Sequence, residues 1–361
     1  MQVLSDWFRR YFSDPQVIFL AVALLVGFGV VLTMGNMLAP VLASIVIAYL
    51  LEGLVGFFER LGGPRLASVL VVYVAFLAFV VLVLVWVMPV VSRQVTDLVQ
   101  QLPNIVAKGQ QALMQLPERH PEFVTAAQIQ ELIEAIRAEI ASFGQKVLSW
   151  SLASVVGIIT LAVYLVLMPL LVFFFLKDRD LIADWFKGYL PRHRRIAGTV
   201  WRDVDRQISN YIRGKFWEVL IVWASSYLAF YAFGLKYAML LGVLVGLSVI
   251  VPYIGATLVT VPVLLIAWFQ WGWSPEFGWL AATYFIIQAL DGNVLVPLLF
   301  SEVVNLHPVA IIVAILVFGG LWGFWGVFFA IPLATLVQAI LVAWPRPSDA
   351  SDDLPPAEPV A

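Results

Sequence analysis

The sequence predicts an all-α polytopic membrane protein of about eight membrane helical segments, with two broken or re-entrant helical hairpins and a small extracytoplasmic helical domain. Of the 361 residues, 62% are hydrophobic and only 12% are charged, whereas soluble proteins have about 25% charged residues. The charges are segregated, so that long apolar runs alternate with polar segments. Two of the apolar runs exceed the length of one membrane helix, and each contains a group of glycine or proline residues.

Residues 1–91 are predicted to hold membrane helices 1–3. Val17–Met34 and Met37–Leu51 are apolar runs separated by Gly35-Asn36, which we interpret as a turn. Ala67–Val91 is the third run and follows a charged loop. Because the first run lacks a small-residue cleavage site after a short apolar core, we expect it to remain as an uncleaved span.

Residues 92–151 have a different character, since they mix acidic and basic residues and contain no long apolar run. Their apolar residues recur at the three- and four-residue spacing of an amphipathic helix. These positions are Ile129, Leu132, Ile133, Ile136, Ile140, Phe143 and Val147. Pro103, Pro117 and Pro121 are expected to divide the segment into at least two helices. The segment is the predicted extracytoplasmic domain.

Residues 152–176 form the fourth predicted span, and residues 177–215 hold nearly half of the chain's 21 Lys and Arg residues. An apolar residue at every fourth position of the basic segment indicates an amphipathic helix that lies on a membrane surface or packs under the helical bundle. These positions are Ile196, Val200, Val204, Ile208 and Ile212. Because basic segments stay on the cytoplasmic side, we assign this segment to the cytoplasm. Counting spans backward from it places residues 92–151 outside and the N-terminus in the cytoplasm. If both hairpins described below return to the side on which they start, the C-terminal tail is cytoplasmic as well.

Residues 216–344 are the predicted C-terminal membrane domain. After a span at Trp217–Phe233, a long uncharged run contains the break Val251-Pro252-Tyr253-Ile254-Gly255. Pro252 has no backbone N–H to donate, and Gly255 tolerates almost any backbone angle. We therefore expect one helix to end and another to begin at this break.

The two arms of this first hairpin are unequal. Ala238–Val251 would extend ~21 Å as a helix and Ala256–Trp273 ~27 Å, against a hydrocarbon core of roughly 30 Å. Unpaired backbone at membrane depth is stable only where protein covers it or where it lines an aqueous cavity. The sequence therefore predicts a hairpin whose tip lies at a permeation site.

The pattern of short arm, break and long arm recurs further along the chain. Phe277–Phe300 is a span interrupted by polar residues, and a second uncharged run then breaks at Gly319–Gly326. Its arms, Pro308–Phe318 and Val327–Trp344, would be ~16 Å and ~27 Å long. Internal repeats with broken helices in corresponding positions usually indicate a transporter's binding site. The last segment, residues 345–361, is rich in Pro, Asp and Ser and is expected to be disordered.

Asp291 is the one carboxylate deep within an apolar span, where an ionisable residue is costly and usually functional. On a helix, Tyr284, Gln288 and Asp291 would share one face. Asn293 would join them if Gly292 opened the helix locally, and these oxygens could then bind a small cation or polar solute. The alternative is that Asp291 lies at the cytoplasmic edge or pairs with a polar neighbour to hold helices together.

The candidate binding residues are the polar residues of this span together with the prolines and glycines of the two breaks. They are Tyr284, Gln288, Asp291, Asn293, Pro252, Gly255, Gly319 and Gly323. We predict no enzyme activity, no cofactor and no metal site. The chain has no P-loop pattern, and His120, His193 and His307 are far apart in the sequence. The basic segment lies between spans, which favours lipid or protein contacts over nucleic acid.

Several short motifs follow one another along nearly the whole chain. They are Tyr189-Leu190-Pro191-Arg192-His193-Arg194-Arg195, Asn210-Tyr211-Ile212-Arg213-Gly214-Lys215, Val251-Pro252-Tyr253-Ile254-Gly255, Gln288–Pro297, Asn305-Leu306-His307-Pro308 and Ala330-Ile331-Pro332. In this combination the chain resembles the AI-2E transporter family, also called PerM-like permeases. The glycine usual before the Leu-His-Pro motif is absent, since Glu302-Val303-Val304-Asn305 stands there.

The resemblance implies a bacterial inner-membrane protein of about eight helical segments without an ATPase. Members of the family have been assigned to export of the signal autoinducer-2 and others to sodium/proton antiport, and they are thought to form homo-oligomers, in particular pentamers. We therefore expect a secondary transporter or exporter of a small solute or signal molecule, coupled to protons or sodium. The alternative function is an oligomeric gated pore or membrane scaffold without coupled transport.

Overall fold

The computed structural model describes residues 15–119, 155–188, 195–252, 254–300 and 306–343, together with a few positions between 130 and 142. Several predicted features lie outside the described residues. They are Tyr253, residues 302–305, most of the apolar pattern of 129–147, the motif residues 189–194 and the tail of 345–361. The described residues are helical nearly throughout and contain no strand, which confirms the predicted all-α class.

Within the described ranges, four helices are long and apolar enough to cross a membrane: Met37–Arg60, Arg65–Gln111, Ile254–Trp271 and Pro275–Phe300. Three shorter apolar helices accompany them, at Val163–Lys177, Ala238–Ser248 and Pro308–Trp322. The chain is therefore a multi-pass membrane protein. The number of about eight membrane segments stays a prediction.

The helices are numbered here in chain order. They are α1 (Pro15–Arg60), α2 (Arg65–Leu82), α3 (Met88–Arg119), α4 (Val155–Lys177), α5 (Arg179–Gly188), α6 (Arg195–Ala232), α7 (Ala238–Ser248), α8 (Ile254–Trp271), α9 (Pro275–Leu290), α10 (Val296–Phe300), α11 (Pro308–Trp322), α12 (Phe324–Phe328) and α13 (Ala330–Ala343). Two π-helical segments, Val83–Val87 and Asp291–Leu295, connect α2 to α3 and α9 to α10.

The turn predicted at Gly35-Asn36 is wrong, because α1 is one helix of 46 residues that continues through both residues. A glycine inside a helix costs only about 1 kcal/mol relative to alanine, and the apolar residues on both sides favour a continuous helix. The count of spans that placed the N-terminus in the cytoplasm depended on this turn. The orientation of the termini therefore stays a prediction.

Helix α3 continues through Pro103 and Pro117, so these two prolines do not divide the segment as expected. A proline removes one backbone hydrogen bond from a helix, and a helix of this length can continue without it. Near its start α3 contacts α7, where the Gln94 Oε1 accepts a hydrogen bond from the Leu240 backbone N–H at 2.8 Å. A separate extracytoplasmic domain of residues 92–151 stays a prediction.

The chain divides into two compact units. The first-hairpin unit comprises the described residues within 67–170 and 216–299, and the second-hairpin unit comprises those within 1–66, 171–215 and 300–361. In the second-hairpin unit, Ile212 of the predicted amphipathic stripe is buried, and Ile208 is half-buried.

The core of the first-hairpin unit is formed by α6, α7, α8 and α9. Its fully buried side chains include Phe230, Leu241, Val263 and Tyr284. Helices α6 and α7 approach closely at two glycines of α7. A Cβ on Gly242 would lie 3.0 Å from the Tyr227 Cβ, and one on Gly246 would lie 2.6 Å from the Trp223 Cβ. The Gly-x-x-x-Gly spacing in α7 therefore serves helix packing.

Candidate functional site

The first hairpin consists of α7, with 11 residues, and α8, with 18 residues, which pack against each other. At 1.5 Å per residue they extend ~16 Å and ~27 Å. The predicted break with a short first arm is confirmed, although α7 ends at Ser248 rather than at Val251. Proline at 252 explains the early end, because it cannot donate the next helical hydrogen bond to the Ser248 carbonyl. The Val251 N–H donates to that carbonyl instead, at 3.1 Å.

Gly255 is required by the geometry of this break. A Cβ at this position would lie 1.8 Å from the Ser248 carbonyl oxygen and 2.6 Å from the carbonyl carbon. The start of α8 therefore crosses the end of α7 in direct backbone contact. Pro252 is half-buried beside this contact. The two residues that predicted the break thus act in different ways, one by removing a donor and one by allowing close approach.

The second hairpin is broken at two places, between α11 and α12 and between α12 and α13. Helix α11 ends at Trp322, after which Gly323 adopts φ 57° and ψ −131°. The short helix α12 follows, and both α12 and α13 pack against α11. The first arm therefore ends later than the predicted Phe318, because Gly319 and Gly320 remain helical.

The glycine of the second break has the same role as Gly255. A Cβ on Gly326 would lie 1.8 Å from the Phe318 carbonyl oxygen and 2.4 Å from its carbon. In both hairpins a buried glycine therefore packs across the break against a backbone carbonyl seven or eight residues earlier in the chain. This shared contact supports the internal repeat that the sequence suggested.

The polar span after the first hairpin opens locally around Gly292, which was the condition under which Asn293 could join the other polar residues. Residues Asp291–Leu295 are π-helical, and the Val296 N–H donates to the Asp291 carbonyl. Such π-helical turns occur often at functional sites. The wider turn changes the direction of the side chains that follow Asp291, compared with a regular helix.

A chain of hydrogen bonds joins this span to the first hairpin. The Gln288 Nε2 donates to the Tyr284 hydroxyl oxygen at 2.7 Å, and that hydroxyl lies 2.8 Å from the Thr260 Oγ1. The Thr260 Oγ1 in turn donates to the Ala256 carbonyl at 2.7 Å. Ala256 directly follows Gly255, so the chain of hydrogen bonds ends at the break.

The other predicted site residues are placed differently. Asp291 is half-buried, one turn beyond Gln288. Asn293 is exposed, and its Nδ2 donates to the Ala289 carbonyl of its own helix at 2.8 Å. The structure therefore brings Tyr284 and Gln288 together and turns the Asn293 amide back on its own helix.

Gly319 and Gly323 belong to the second-hairpin unit. A Cβ on Gly319 would lie 2.8 Å from the Val327 Cγ2, whereas Gly323 is exposed and has a positive φ. Both residues thus shape the second break, and their part in a binding site stays a prediction.

His307 caps a helix. Its Nδ1 accepts a hydrogen bond from the Val309 N–H at 3.3 Å at the start of α11, and Pro308 occupies the first helical position. Proline is favoured there because the missing N–H would have no helical partner. Helix α9 begins in the same way, with Ser274 as the cap and Pro275 after it. The capping contact gives His307 a structural role at the start of α11.

A second polar cluster, in the second-hairpin unit, was not found from the sequence. Arg179 donates to the Glu52 Oε1 at 2.9 Å, and Arg65 lies 3.5 Å from the same oxygen. Nearby, the Tyr49 hydroxyl donates to the Asp205 Oδ1 at 2.6 Å. Arg179 and Asp205 are more than 100 residues from their partners Glu52 and Tyr49 along the chain, so no local pattern could have revealed the cluster.

A multi-pass, all-helical membrane protein with broken hairpins and a polar membrane helix has the features of a membrane transporter. Residues 17–346 match the family described as AI-2E family transporter, and the chain belongs to this family. The predicted resemblance is therefore confirmed.

Similar proteins are known from several bacteria. The chain is 47% identical over 345 residues to the Escherichia coli K12 protein named "Putative permease PerM", and the match covers 96% of this chain and 98% of that protein. It is 29% identical over 308 residues to the Bacillus subtilis protein named "Putative transport protein YrrI", and the match covers 85% of this chain and 86% of that protein. A Thermotoga maritima protein named "Putative transport protein" is 24% identical over 342 residues, and the match covers 94% of this chain and 98% of that protein.

Proposed function

We propose that this protein is a secondary transporter of the bacterial inner membrane that moves a small solute or signal molecule. The transport site is the polar face of α9 and the following π-helical turn, beside the first break. The observation that carries this proposal is the hydrogen-bond chain from Gln288 through Tyr284 and Thr260 to Ala256. It brings polar groups together next to a helix break and beside the apolar core of the first-hairpin unit.

Asp291 is the residue proposed to carry a coupling proton or cation. It lies one turn beyond Gln288 at the start of the π-helical segment. The membrane potential supplies ~2.3 kcal/mol per charge per 100 mV, so a proton or sodium gradient can drive transport without a nucleotide. Membership of a transporter family supports a carrier of this kind.

The test uses protein reconstituted into vesicles with an imposed pH gradient and a panel of small solutes and cations. The Asp291→Asn variant is expected to lose gradient-driven flux. Glu276→Gln is the matched control, because Glu276 lies in the first turn of the same helix and its replacement is expected to leave flux unchanged. Full gradient-driven flux in Asp291→Asn would remove Asp291 from the mechanism.

The same vesicles separate the alternative function, an oligomeric gated pore or scaffold. A pore gives flux that does not depend on the gradient, and a scaffold gives none. We also expect self-association, with the pentamer that the resemblance implies, which light scattering of the purified protein can measure. The proposed topology has both termini in the cytoplasm.

A further inference from the structure

We infer that Thr260 and Tyr284 are positioning residues that fix the side-chain amide of Gln288, so that its oxygen and not its nitrogen is available to the transported solute. The inference rests on the proposed function, since it concerns the same site. It predicts that the site prefers a solute group that donates a hydrogen bond.

The order of the hydrogen bonds follows from counting protons. A hydroxyl has one proton to donate. The Thr260 proton goes to the Ala256 carbonyl, 2.7 Å away, so the Tyr284 hydroxyl must donate to the Thr260 Oγ1. The Tyr284 oxygen is then left as an acceptor and takes the N–H of Gln288. This series of hydrogen bonds is called the relay below.

The reverse order is unfavourable. If Gln288 turned its oxygen toward Tyr284, the Tyr284 proton would go to Gln288 and the Thr260 proton to Tyr284. The Thr260 Oγ1 and the Ala256 carbonyl oxygen would then lie 2.7 Å apart with no proton between them, which is repulsive. Amide orientation is assigned from such networks, and this network directs the Gln288 oxygen away from Tyr284.

Tyr284 is well suited to hold this arrangement. Its side chain is completely buried in the core of the first-hairpin unit. Its ring centroid lies 6.2 Å from the ring centroid of Phe230 and 5.6 Å from that of Phe285. Packing on this scale restricts the ring to one position. The orientation of Gln288 is therefore set by a rigid core residue rather than by solvent.

The relay also ties Gln288 to the first break. Ala256, at the end of the relay, follows Gly255, whose backbone packs directly on the Ser248 carbonyl. A change in the break would move Ala256 and with it Thr260. The orientation of the Gln288 amide is thus coupled to the geometry of the hairpin tip.

The experiment compares two cations as probes in reconstituted vesicles and in detergent. Methylammonium carries N–H donors, whereas tetramethylammonium has the same charge and none. Half-saturating concentrations are measured from flux in vesicles and, independently, from the rise in unfolding temperature of the purified protein with probe concentration. The wild-type protein is expected to prefer methylammonium.

Thr260→Val removes the hydroxyl at nearly constant volume, and Tyr284→Phe removes the middle of the relay. Each is expected to reduce the preference for methylammonium about tenfold, the effect of one hydrogen bond to a charged group. Thr260→Ser keeps the hydroxyl and should retain the preference. Thr283→Val is the matched control, because the Thr283 hydroxyl donates to the Trp279 carbonyl of its own helix and takes no part in the relay.

The ratio of the two half-saturating concentrations distinguishes a positioning role from a general loss of stability, because a general loss of stability would weaken the binding of both probes equally. An unchanged ratio in Thr260→Val, or a wild-type protein that does not prefer methylammonium, would overturn the inference. Relay-dependent binding without any flux would instead support the relay and contradict the proposed transport function.

Discussion

Replacing Gly255 by alanine tests the backbone contact that defines the first break. The added Cβ would lie 1.8 Å from the Ser248 carbonyl oxygen, whereas an ordinary contact of this kind is about 3.3 Å or longer. The two helices must therefore separate by roughly 1.5 Å. Because the obstructing atoms are backbone, no side-chain rotation can relieve the clash.

The magnitude follows from known effects of overpacking. Inserting a methyl group into a packed core costs about 1–3 kcal/mol when side chains can adjust, so we expect about 3 kcal/mol or more for Gly255→Ala. At about 2–4 °C per kcal/mol for a unit of the size of the first-hairpin unit, the unfolding temperature should fall by roughly 6–12 °C. Intrinsic fluorescence of the 14 tryptophans during heating in detergent measures this fall.

Other glycines of the same unit provide a graded control series. A Cβ on Gly278 meets nothing within 4 Å, one on Gly242 lies 3.0 Å from the nearest atom, and one on Gly246 lies 2.6 Å away. The loss of stability on substitution by alanine should therefore increase in the order Gly278, Gly242, Gly246, Gly255, and Gly278→Ala should be about as stable as the wild type. A Gly255→Ala protein that unfolds at the wild-type temperature would refute the reasoning.

Three further predictions can be checked by the same unfolding measurement. Gly326→Ala should destabilise the protein as strongly as Gly255→Ala, because its Cβ would also lie 1.8 Å from a carbonyl oxygen. Gly320→Ala should not destabilise it, because a Cβ on Gly320 meets nothing within 4 Å. Equal stability of the Gly326→Ala and Gly320→Ala proteins would contradict this prediction. Glu52→Gln should lower the free energy of unfolding by about 1 kcal/mol. It should lower it by less in an Arg179→Gln background, because Glu52 and Arg179 form an ion pair at 2.9 Å. Additive effects of the two substitutions would contradict a stabilising ion pair. Gln270→Leu should lower the free energy of unfolding by about 1–2 kcal/mol, because the Gln270 side chain forms hydrogen bonds with the backbone on both sides of the turn before α7. An unchanged unfolding temperature would show that these hydrogen bonds do not stabilise the turn.

The features that could be predicted from the sequence depend on local backbone chemistry. Pro252 and Gly255 act on the backbone at their own positions, so the first break was predictable to within a few residues. The second break was harder to locate, because Gly319, Gly320 and Gly323 are close together and only the last adopts a positive φ. Gly35 misled the prediction, since a helix flanked by apolar residues tolerates a glycine.

The features that could not be predicted depend on contacts between distant parts of the chain. Thr260 occupies an ordinary position in an apolar run, and its contact with Tyr284 becomes visible only when α8 packs against α9. The ion pair between Glu52 and Arg179 likewise joins segments that are far apart in the sequence. The spacing of Tyr284 and Gln288 was informative because one helical turn separates them.

The most direct test of the central claim is the reaction of single cysteines with a charged, membrane-impermeant thiol reagent in vesicles. The chain contains no cysteine, so each introduced thiol reports on one position. We predict that Gln288→Cys and Asp291→Cys react, because a water-accessible thiol can ionise. Ile286→Cys, on the exposed apolar side of the same helix, should not react in lipid. Reaction at Ile286→Cys with none at the other two positions would contradict a transport site on the polar face of α9.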